Sequence, residues 1–280
     1  EKIQPAAVMK YAIINGELIL HDLARVSVND LAIQRGYGIF DFFKTVKGIP
    51  VWLDDHLIRF FYSASEMQLP VAYGKEEIKQ MIRLLIEKNN LPDSGIRITL
   101  TGGDSEDGYS IGKPNLLITQ KAFRYDPASF EKGIRLVTYE HQRQLPQVKT
   151  IDYLQAIRLH SFIRNHSADD LLYYHQSEIL ESPRSNIFLV NEYDELLTPS
   201  RNILQGITRK KILELPSLKA KEAVIHPDNL LHYKEIFLAS TTKIVLPVLQ
   251  INGQPVGDGK PGPATRSVHE QLMKMQKTPD

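Results

Sequence analysis

The chain begins with short runs in which apolar and polar residues alternate, a pattern typical of half-buried β-strands. Two such runs flank Asn15-Gly16, a pair that supplies the positive φ angles of a tight hairpin, and a second hairpin is predicted around Lys47-Gly48. Two further runs, at residues 96–101 and 115–120, are predicted to pair around a polar turn. The first part of the chain therefore predicts one sheet built largely from hairpins.

Two segments between these strands carry apolar residues three and four positions apart, which predicts amphipathic helices. Asp54 is the predicted N-cap of the first helix, whose apolar stripe includes Leu57 and Phe60. The stripe of the second helix begins at Ile78, and this helix is predicted to end at Asn89-Asn90. Helices and a sheet in the same region indicate a mixed α/β (α+β) fold.

Residues 125–132 are polar and contain Pro127, so they are predicted to link two domains. The domains are an N-terminal small α/β domain at residues 9–124 and a larger C-terminal domain at residues 133–280. Within the C-terminal domain the pattern predicts a helix at 151–162, a hairpin turn at Asp194-Glu195, a helix at 207–215, a loop at 257–263, and strands at 134–139, 171–174, 186–190 and 236–239.

Composition narrows the class of protein. The 280 residues carry 34 Lys plus Arg and 33 Asp plus Glu, a formal charge of +1 without a basic stripe, so no nucleic acid or membrane partner is expected. No apolar run has the length of a membrane-spanning helix. The absence of Cys excludes disulfides and thiolate nucleophiles and is typical of a reducing compartment. We therefore expect a cytoplasmic enzyme that acts on small molecules. Met9 is the expected native start, which makes residues 1–8 an added remnant.

Several motifs of common enzyme classes are missing from the sequence. It contains no GxSxG, HExxH or GxxxxGK[ST], which removes the usual anchors of hydrolases and ATPases. Gly36-Tyr37-Gly38 starts like a dinucleotide-binding motif, but the third glycine is absent. The nine His residues show no ligand spacing backed by acids, so no metal site is expected.

Five segments carry the strongest chemical signal, and they occur in a fixed order. They are Trp52-Leu53-Asp54-Asp55-His56-Leu57-Ile58-Arg59, Val148-Lys149-Thr150-Ile151-Asp152-Tyr153-Leu154, Glu181-Ser182-Pro183-Arg184-Ser185-Asn186-Ile187-Phe188, Leu204-Gln205-Gly206-Ile207-Thr208-Arg209, and Leu238-Ala239-Ser240-Thr241-Thr242. From about Tyr11 to Arg266 the chain resembles the class IV aminotransferases, the fold-type IV enzymes that use pyridoxal 5'-phosphate. The interval from Lys149 to Glu181, 181 minus 149 or 32 positions, is close to that of the family.

The resemblance implies a PLP-dependent aminotransferase with two domains and the cofactor site between them. Lys149 corresponds to the lysine that forms the Schiff base, and this placement puts the PLP lysine in the predicted C-terminal domain. A lysine suits this role because a partly desolvated amine is available as a nucleophile and a proton carrier. Glu181 corresponds to the carboxylate that keeps the cofactor ring nitrogen protonated.

The phosphate of the cofactor needs anion-binding groups, and the start of a helix offers free N–H groups. Ile207 and Thr208 open the predicted helix, and the resemblance assigns this turn to the phosphate. Arg59 can add a bidentate charge-assisted pair and Thr241 a hydroxyl. Relatives often place a tyrosine near the ring hydroxyl of the cofactor, which makes Tyr153 a further cofactor-binding candidate.

The sequence departs from the family where relatives bind the substrate α-carboxylate. The Arg-x-His pair typical of D-amino acid enzymes is missing near Thr101, and Arg35 and Arg97 are the candidates to replace it. Arg35 is expected on a loop that reaches the site of its own or the partner subunit. The triplet Ser240-Thr241-Thr242 is similar to the D-amino acid aminotransferases and makes Thr242 a substrate-binding candidate.

The interpretation is a D-amino acid transaminase that moves an amino group to a 2-oxo acid by a ping-pong mechanism. The resemblance also implies a homodimer with shared active sites. The alternatives are a branched-chain L-amino acid aminotransferase, an aminodeoxychorismate lyase and a non-catalytic homologue that binds pyridoxal phosphate. The sequence does not identify the preferred side chain, the amino acceptor or the pathway.

Overall fold

A computed structural model describes residues 9–277, which divide into two compact units. The first unit holds residues 9–124 together with Val148–Asp152, and the second holds Tyr125–Gln147 and the described residues from Tyr153 onward. Residues 1–8, the expected remnant, lie outside the described residues. The units separate after Arg124, and the segment with Lys149 groups with the first unit rather than with the C-terminal part of the chain.

The first unit contains an antiparallel sheet of six strands in the order β2-β1-β6-β5-β3-β4. The strands are β1 (Tyr11–Ile14), β2 (Glu17–Leu20), β3 (Gly38–Val46), β4 (Ile49–Pro50), β5 (Ser94–Thr101) and β6 (Leu116–Ala122). The helices are α1 (Leu31–Arg35), α2 (Leu53–Glu66) and α3 (Lys75–Asn89). A short 3-10 turn covers His21–Leu23. Both predicted hairpins and the pairing of β5 with β6 are confirmed.

The long helices α2 and α3 bury their apolar stripes against this sheet. Leu57 and Phe60 of α2 and Ile78 of α3 are fully buried in the same core cluster. The α3 helix ends at Asn90, which takes the left-handed conformation common at helix C-termini, as the sequence predicts. The predicted N-cap of α2 is wrong, because Trp52 occupies that position with a φ of 53°.

The second unit contains a mixed sheet in the order β12-β11-β10-β13-β14-β7-β8-β9, with β15 paired to β14. Its strands are β7 (Ile134–Glu140), β8 (Asp170–His175), β9 (Glu178–Ile179), β10 (Asn186–Val190), β11 (Leu196–Pro199), β12 (Lys221–Ala223), β13 (Glu235–Ser240), β14 (Ile244–Ile251) and β15 (Gln254–Pro255). Its helices are α4 (Ala128–Lys132), α5 (Leu154–Arg158), α6 (His160–Asn165), α7 (Ile207–Leu213) and α8 (Pro263–Lys277), and a 3-10 turn covers Pro227–His232.

Three predictions for the second unit differ from the structure. The predicted linker contains α4, which buries Phe130. The predicted helix at 151–162 is two short helices that begin only at Leu154, because the preceding segment pairs with β3 instead. The α8 helix is absent from the sequence prediction, since polar residues such as Thr265 and Gln276 interrupt its buried stripe. The predicted strands and the turn at Asp194 are confirmed.

Candidate active site

The segment that carries Lys149 is held against β3 in the first unit. The backbone N–H of Phe40 donates to the Lys149 carbonyl at 2.9 Å, and the N–H of Ile151 donates to the Gly38 carbonyl at 3.0 Å. Gly38 is needed here because a Cβ would lie 2.8 Å from a carbonyl of β5. The N–H of Lys149 donates to the Ser63 hydroxyl of α2 at 3.2 Å. These contacts fix the backbone of the candidate lysine on both sides.

Two candidate cations of the first unit share one aromatic ring. Phe40 is buried on β3, and the Lys149 Nζ lies 4.7 Å from the centre of its ring. The guanidinium carbon of Arg97 lies 3.8 Å from the same centre. Arg97 projects from β5, and its Nε donates to the Thr99 hydroxyl at 3.2 Å. The ring attracts both cations, so the structure brings together two of the residues that the sequence singles out.

A buried carboxylate holds Arg59 on α2. His56 and Arg59 lie three positions apart and so share one helix face, which points at Asp41 of β3. The Nε of Arg59 donates to Asp41 Oδ2 at 2.8 Å, and its Nη2 donates to Oδ1 at 2.8 Å. His56 Nδ1 lies 2.7 Å from the same Oδ1, and Asp41 is 0% exposed. A forked, charge-assisted pair of this kind fixes the plane of the guanidinium.

The protonation states in this cluster follow from burial and neighbouring charge. Burial alone would raise the pKa of Asp41, but the Arg59 guanidinium and the His56 ring together hold that pKa well below its usual value. Burial lowers the pKa of His56 below 6.5, although the Asp41 carboxylate opposes this effect. Asp41 is therefore ionised and His56 neutral near pH 7. Since a carboxylate only accepts, the Nδ1 of His56 donates this hydrogen bond.

Glu181 is the corresponding buried carboxylate of the second unit and is 5% exposed. Arg143 donates twice to Oε1, from Nε at 3.0 Å and from Nη2 at 2.8 Å. The other oxygen, Oε2, accepts from the backbone N–H of Leu204 at 3.1 Å and from the Asn186 amide at 3.4 Å. The carboxylate is thus fixed in the protein interior, with its two oxygens in different surroundings.

The turn before α7 lies next to Glu181. The Asn186 amide also donates to the Leu204 carbonyl at 2.9 Å, and Gly206 is the residue before the helix. A Cβ on Gly206 would lie 2.1 Å from the Asn186 side chain, so only glycine fits there. Ile207 and Thr208 are both buried in the first turn of the helix. Within residues 9–277, the Thr208 hydroxyl is buried and has no hydrogen-bond partner.

The remaining candidates of the second unit occupy two turns. Asn186 pairs with Ala239, which places the turn at Thr241 and Thr242 beside the start of β10. Thr241 is half-buried and Thr242 is exposed. The structure therefore gathers Glu181, Thr208 and Thr241 at one end of the β10–β13 pair. Tyr153 is half-buried and precedes α5.

Arg35 differs from its expected position on a loop. It is the last residue of α1, and Gly36 caps this helix in the left-handed conformation with a φ of 67°. The Arg35 side chain is exposed, and its Nη1 donates to the Gln34 carbonyl at 3.0 Å. Among the described carboxylates, none forms an ion pair with Arg35. Tyr37, between Gly36 and Gly38, donates from its hydroxyl to the Met67 carbonyl at 2.6 Å.

Three contributors to these clusters were not identified as functional from the sequence: Asp41, His56 and Arg143. His56 stands three positions before Arg59 in one of the recognised segments, and this spacing is a usable signal for a shared helix face. Asp41 lies in none of the five segments that carry the family resemblance. Arg143 carries no signal, because it reaches Glu181 from a loop 38 positions earlier.

Two features of other protein classes do not occur in the part of the chain that the structure describes. Among the helices of residues 9–277, none is long and apolar enough to cross a membrane. The His, Asp and Glu side chains in that same range form no group of three that could hold a metal ion.

The comparisons with known proteins all match this chain to aminotransferases. A model of the amino-transferase class IV family matches residues 38–251. A D-alanine aminotransferase of Staphylococcus haemolyticus is 31% identical over 275 residues, which cover 95% of this chain and 98% of that protein. An Escherichia coli branched-chain amino acid aminotransferase has a TM-score of 0.89 at 24% identity and covers 98% of this chain and 97% of its own. A hypothetical aminotransferase from Mycobacterium tuberculosis, in its PLP-bound form, has a TM-score of 0.82 at 19% identity, with coverages of 96% and 99%.

Proposed function

The chain belongs to the class IV aminotransferases, which use pyridoxal 5'-phosphate, and on that premise we propose that it is a D-amino acid transaminase. It moves the amino group between a D-amino acid and a 2-oxo acid in a ping-pong cycle. The observation that carries the substrate class is the match to a D-alanine aminotransferase over nearly the full length of both chains. The similarity of Ser240-Thr241-Thr242 to the D-amino acid enzymes supports the same choice.

The residues present fit the cofactor. The buried Thr208 hydroxyl without a described partner is a donor in need of an acceptor, and a phosphate oxygen supplies one. The N–H groups of Ile207 and Thr208, the Arg59 guanidinium and the Thr241 hydroxyl are the other proposed phosphate ligands. Tyr153 is proposed to contact the ring hydroxyl. When bound, pyridoxal phosphate supplies the electron sink that stabilises charge left at the substrate Cα.

Lys149 and Glu181 carry the proposed chemistry. Lys149 anchors the cofactor covalently and, when released, its Nζ takes the proton from the substrate Cα. The Phe40 ring excludes water from one side of this amine. Glu181 would support a proton on the cofactor ring nitrogen, and its hydrogen bonds with Arg143 and Leu204 hold the carboxylate in place.

Arg35, Arg97 and Thr242 are the proposed substrate-binding residues. A carboxylate that leaves water needs charge-assisted donors, and a guanidinium supplies two parallel ones. Arg97 is preorganised by its stacking on Phe40. Arg35 has no described carboxylate partner, so its charge is available to a ligand.

We propose a homodimer with shared active sites. Val28, Ile33 and Tyr109 are apolar or aromatic side chains with 77%, 62% and 84% exposure, and they flank Arg35 on neighbouring segments. Exposed apolar side chains gathered in this way are typical of a surface that a partner covers. The absence of Cys fits a reducing compartment, and the proposed location is the cytoplasm.

Mixing two inactive variants tests whether the sites are shared. Lys149→Ala and Arg35→Ala chains, unfolded and refolded together, form mixed dimers. If Arg35 acts on the partner's site, one site of each mixed dimer has both native residues, and activity returns. If the mixture stays as inactive as the separate variants while sedimentation shows mixed dimers, Arg35 does not act across the interface.

Half-reaction spectra with paired enantiomers test the substrate class. The purified holoenzyme is mixed with D-alanine, L-alanine, D-glutamate or L-leucine without an amino acceptor, and the cofactor absorbance is followed. We expect the D-amino acids to bleach the yellow absorbance fastest. Bleaching by L-leucine alone would instead establish a branched-chain L-amino acid aminotransferase. A cofactor that no amino acid bleaches would indicate a non-catalytic homologue.

A further inference from the structure

Asp41 uses both carboxylate oxygens on side chains of α2. Besides Arg59 and His56, the backbone N–H of Phe42 donates to Oδ1 at 2.8 Å. Four hydrogen bonds therefore hold this one side chain, and Asp41 is completely buried. A carboxylate with so many donors is rigid, and a guanidinium bound to it in a fork inherits that rigidity. The ion pair also weakens the electrostatic attraction of Arg59 for an anionic ligand, because the negative charge of Asp41 offsets the positive charge of Arg59.

We propose that Asp41, supported by His56, is a positioning residue that orients Arg59 toward the phosphate of the cofactor. This inference rests on the proposed role of Arg59 as a phosphate ligand. Arginine binds phosphate best when its planar fork is already aligned, since a free side chain loses rotamer freedom on binding. The fork to Asp41 removes that freedom in advance.

His56 supports Asp41 without adding charge. It is buried on the same helix face as Arg59, and its Nδ1 lies 2.7 Å from Asp41 Oδ1. A neutral donor at this oxygen leaves the ion pair with Arg59 intact, whereas a second full cation would compete for the carboxylate. Ser63, one turn further along α2, holds the backbone of Lys149. One face of α2 thus supports both Arg59 and the candidate lysine.

Net charge and positioning make opposite predictions for Asp41→Asn. The substitution removes a negative charge beside Arg59, so charge alone predicts tighter phosphate binding. Positioning predicts weaker binding, because the Asn amide carries an NH2 group in place of one carboxylate oxygen, and this group cannot accept the guanidinium donor that faces it. The comparison of pyridoxal 5'-phosphate with pyridoxal, which lacks the phosphate, separates these effects from general damage to the fold.

The experiment measures dissociation constants of both aldehydes by absorbance for the native protein and four variants. Asp41→Asn is expected to weaken binding of pyridoxal 5'-phosphate about tenfold to a hundredfold, the scale of a charge-assisted hydrogen bond, while pyridoxal binding changes little. Asp41→Glu, which keeps the charge and both accepting oxygens, is expected to restore most of the affinity. Arg59→Ala is expected to remove the same preference for the phosphorylated aldehyde. Asp54→Asn, an exposed aspartate on the same helix, is the control and should bind both aldehydes normally.

The outcomes that overturn the proposal are distinct. If Asp41→Asn binds pyridoxal 5'-phosphate as tightly as the native protein or more tightly, net charge outweighs positioning. Equal losses for both aldehydes would show a merely structural role. If Arg59→Ala keeps the full preference for the phosphorylated aldehyde, the phosphate role of Arg59 itself fails. If Asp41→Asn does not fold, His56→Gln replaces it, with an expected selective loss of about threefold to tenfold, the scale of one neutral hydrogen bond.

Discussion

Asp41 and Glu181 are both buried carboxylates that an arginine contacts with Nε and Nη2, yet the two pairs differ in how the oxygens are used. Arg59 spans both oxygens of Asp41, whereas Arg143 places both donors on Oε1 of Glu181. Among residues 9–277, the donors to Oε2 of Glu181 are a backbone N–H at 3.1 Å and an amide at 3.4 Å. Both oxygens of Asp41 therefore bind the Arg59 cation, whereas one oxygen of Glu181 accepts from neutral donors at longer distances.

This difference separates the roles of the two clusters. The cluster of the first unit presents cations: Asp41 holds Arg59, and the Phe40 ring contacts Lys149 and Arg97. The cluster of the second unit presents one carboxylate, Glu181, and uncharged donors. A cofactor with an anionic phosphate and a ring nitrogen that takes a proton needs both kinds of group. Substitutions in either cluster can break or sharpen the distinction.

The largest effect is expected for Lys149→Ala in the cationic cluster. It removes the proposed covalent anchor and the proposed proton carrier together, so steady-state turnover should fall by more than about ten-thousandfold, the upper range of acid–base catalysis alone. The measurement is transamination of D-alanine by the purified variant. Turnover within a hundredfold of native would show that another group carries the chemistry.

Loss of the substrate-binding cation comes next. Arg97 is exposed in the single chain, and Arg97→Ala should lower catalytic efficiency with D-alanine or D-glutamate roughly thirtyfold to several-thousandfold, the equivalent of about 2 to 5 kcal/mol for one partner lost from a charge pair that substrate binding removes from water. Arg35→Ala is expected to lower catalytic efficiency by a factor in the same range. The cofactor spectrum should stay intact in both. Arg135→Ala, an exposed strand arginine of the second unit, is the matched control. Near-native efficiency in both variants would contradict the proposed carboxylate site.

Glu181→Gln tests the anionic cluster. A neutral amide cannot support the ring proton, so removal of the substrate Cα proton should slow by about a hundredfold, typical of a lost preorganised charge. Cofactor binding should persist, and stopped-flow spectra of the half-reaction provide the rate. Glu178→Gln, in which a more exposed ion pair with Arg201 is broken, serves as the control. An unchanged half-reaction rate in Glu181→Gln would refute this role.

A smaller effect is expected for Thr208, a neutral donor of the second unit, whose substitution should raise stability but lower cofactor affinity. Thr208→Val removes a buried hydroxyl without a described partner, so the cofactor-free protein should gain about 1 kcal/mol in free energy of unfolding. Cofactor affinity should fall about tenfold, the scale of one charge-assisted hydrogen bond. Thr265→Val is the matched control, because its hydroxyl on α8 is buried in the same way. It should gain stability with no loss of affinity, and equal affinity losses would refute the assignment.

The smallest effect concerns His56 and pH. Its pKa is lowered by burial, so below pH 6.5 the unfolded chain binds a proton that the folded protein does not. The free energy of unfolding therefore falls as the pH drops below 6.5, by at most about 1.36 kcal/mol per pH unit for this group. His56→Gln should flatten this dependence in urea titrations. An unchanged slope would show that His56 does not titrate as described.

Local turn chemistry and long apolar stripes explain what the sequence predicts well. The hairpin at Asn15-Gly16 has φ angles of 51° and 86° at these two residues, as the pair requires. The failures have tertiary causes. Asp54 does not cap α2, and its carboxylate contacts Lys79 Nζ at 2.6 Å. The segment before α5 pairs with β3, a contact across more than a hundred positions that no local pattern indicates.

The candidate residues divide in the same way. Lys149, Arg59 and Glu181 follow from ordered motifs, because each motif fixes one residue type at one position. Their supports, Asp41 and Arg143, depend on which side chains meet after folding. Arg143 lies 38 positions from Glu181, and only the sheet of the second unit brings them together. The motifs thus single out the candidate catalytic residues, whereas their supports become visible only in the folded structure.

Identification of the covalently bound lysine tests the central claim most directly. Burial lowers the pKa of Lys44 to about 8 and also lowers the pKa of Lys243, so both are alternative amines for the covalent bond. The native holoenzyme is reduced with borohydride, digested and mapped by mass spectrometry. We expect one pyridoxyl adduct, on the peptide that contains Lys149. An adduct on Lys44, Lys243 or any other lysine, with Lys149 unmodified, would contradict the account.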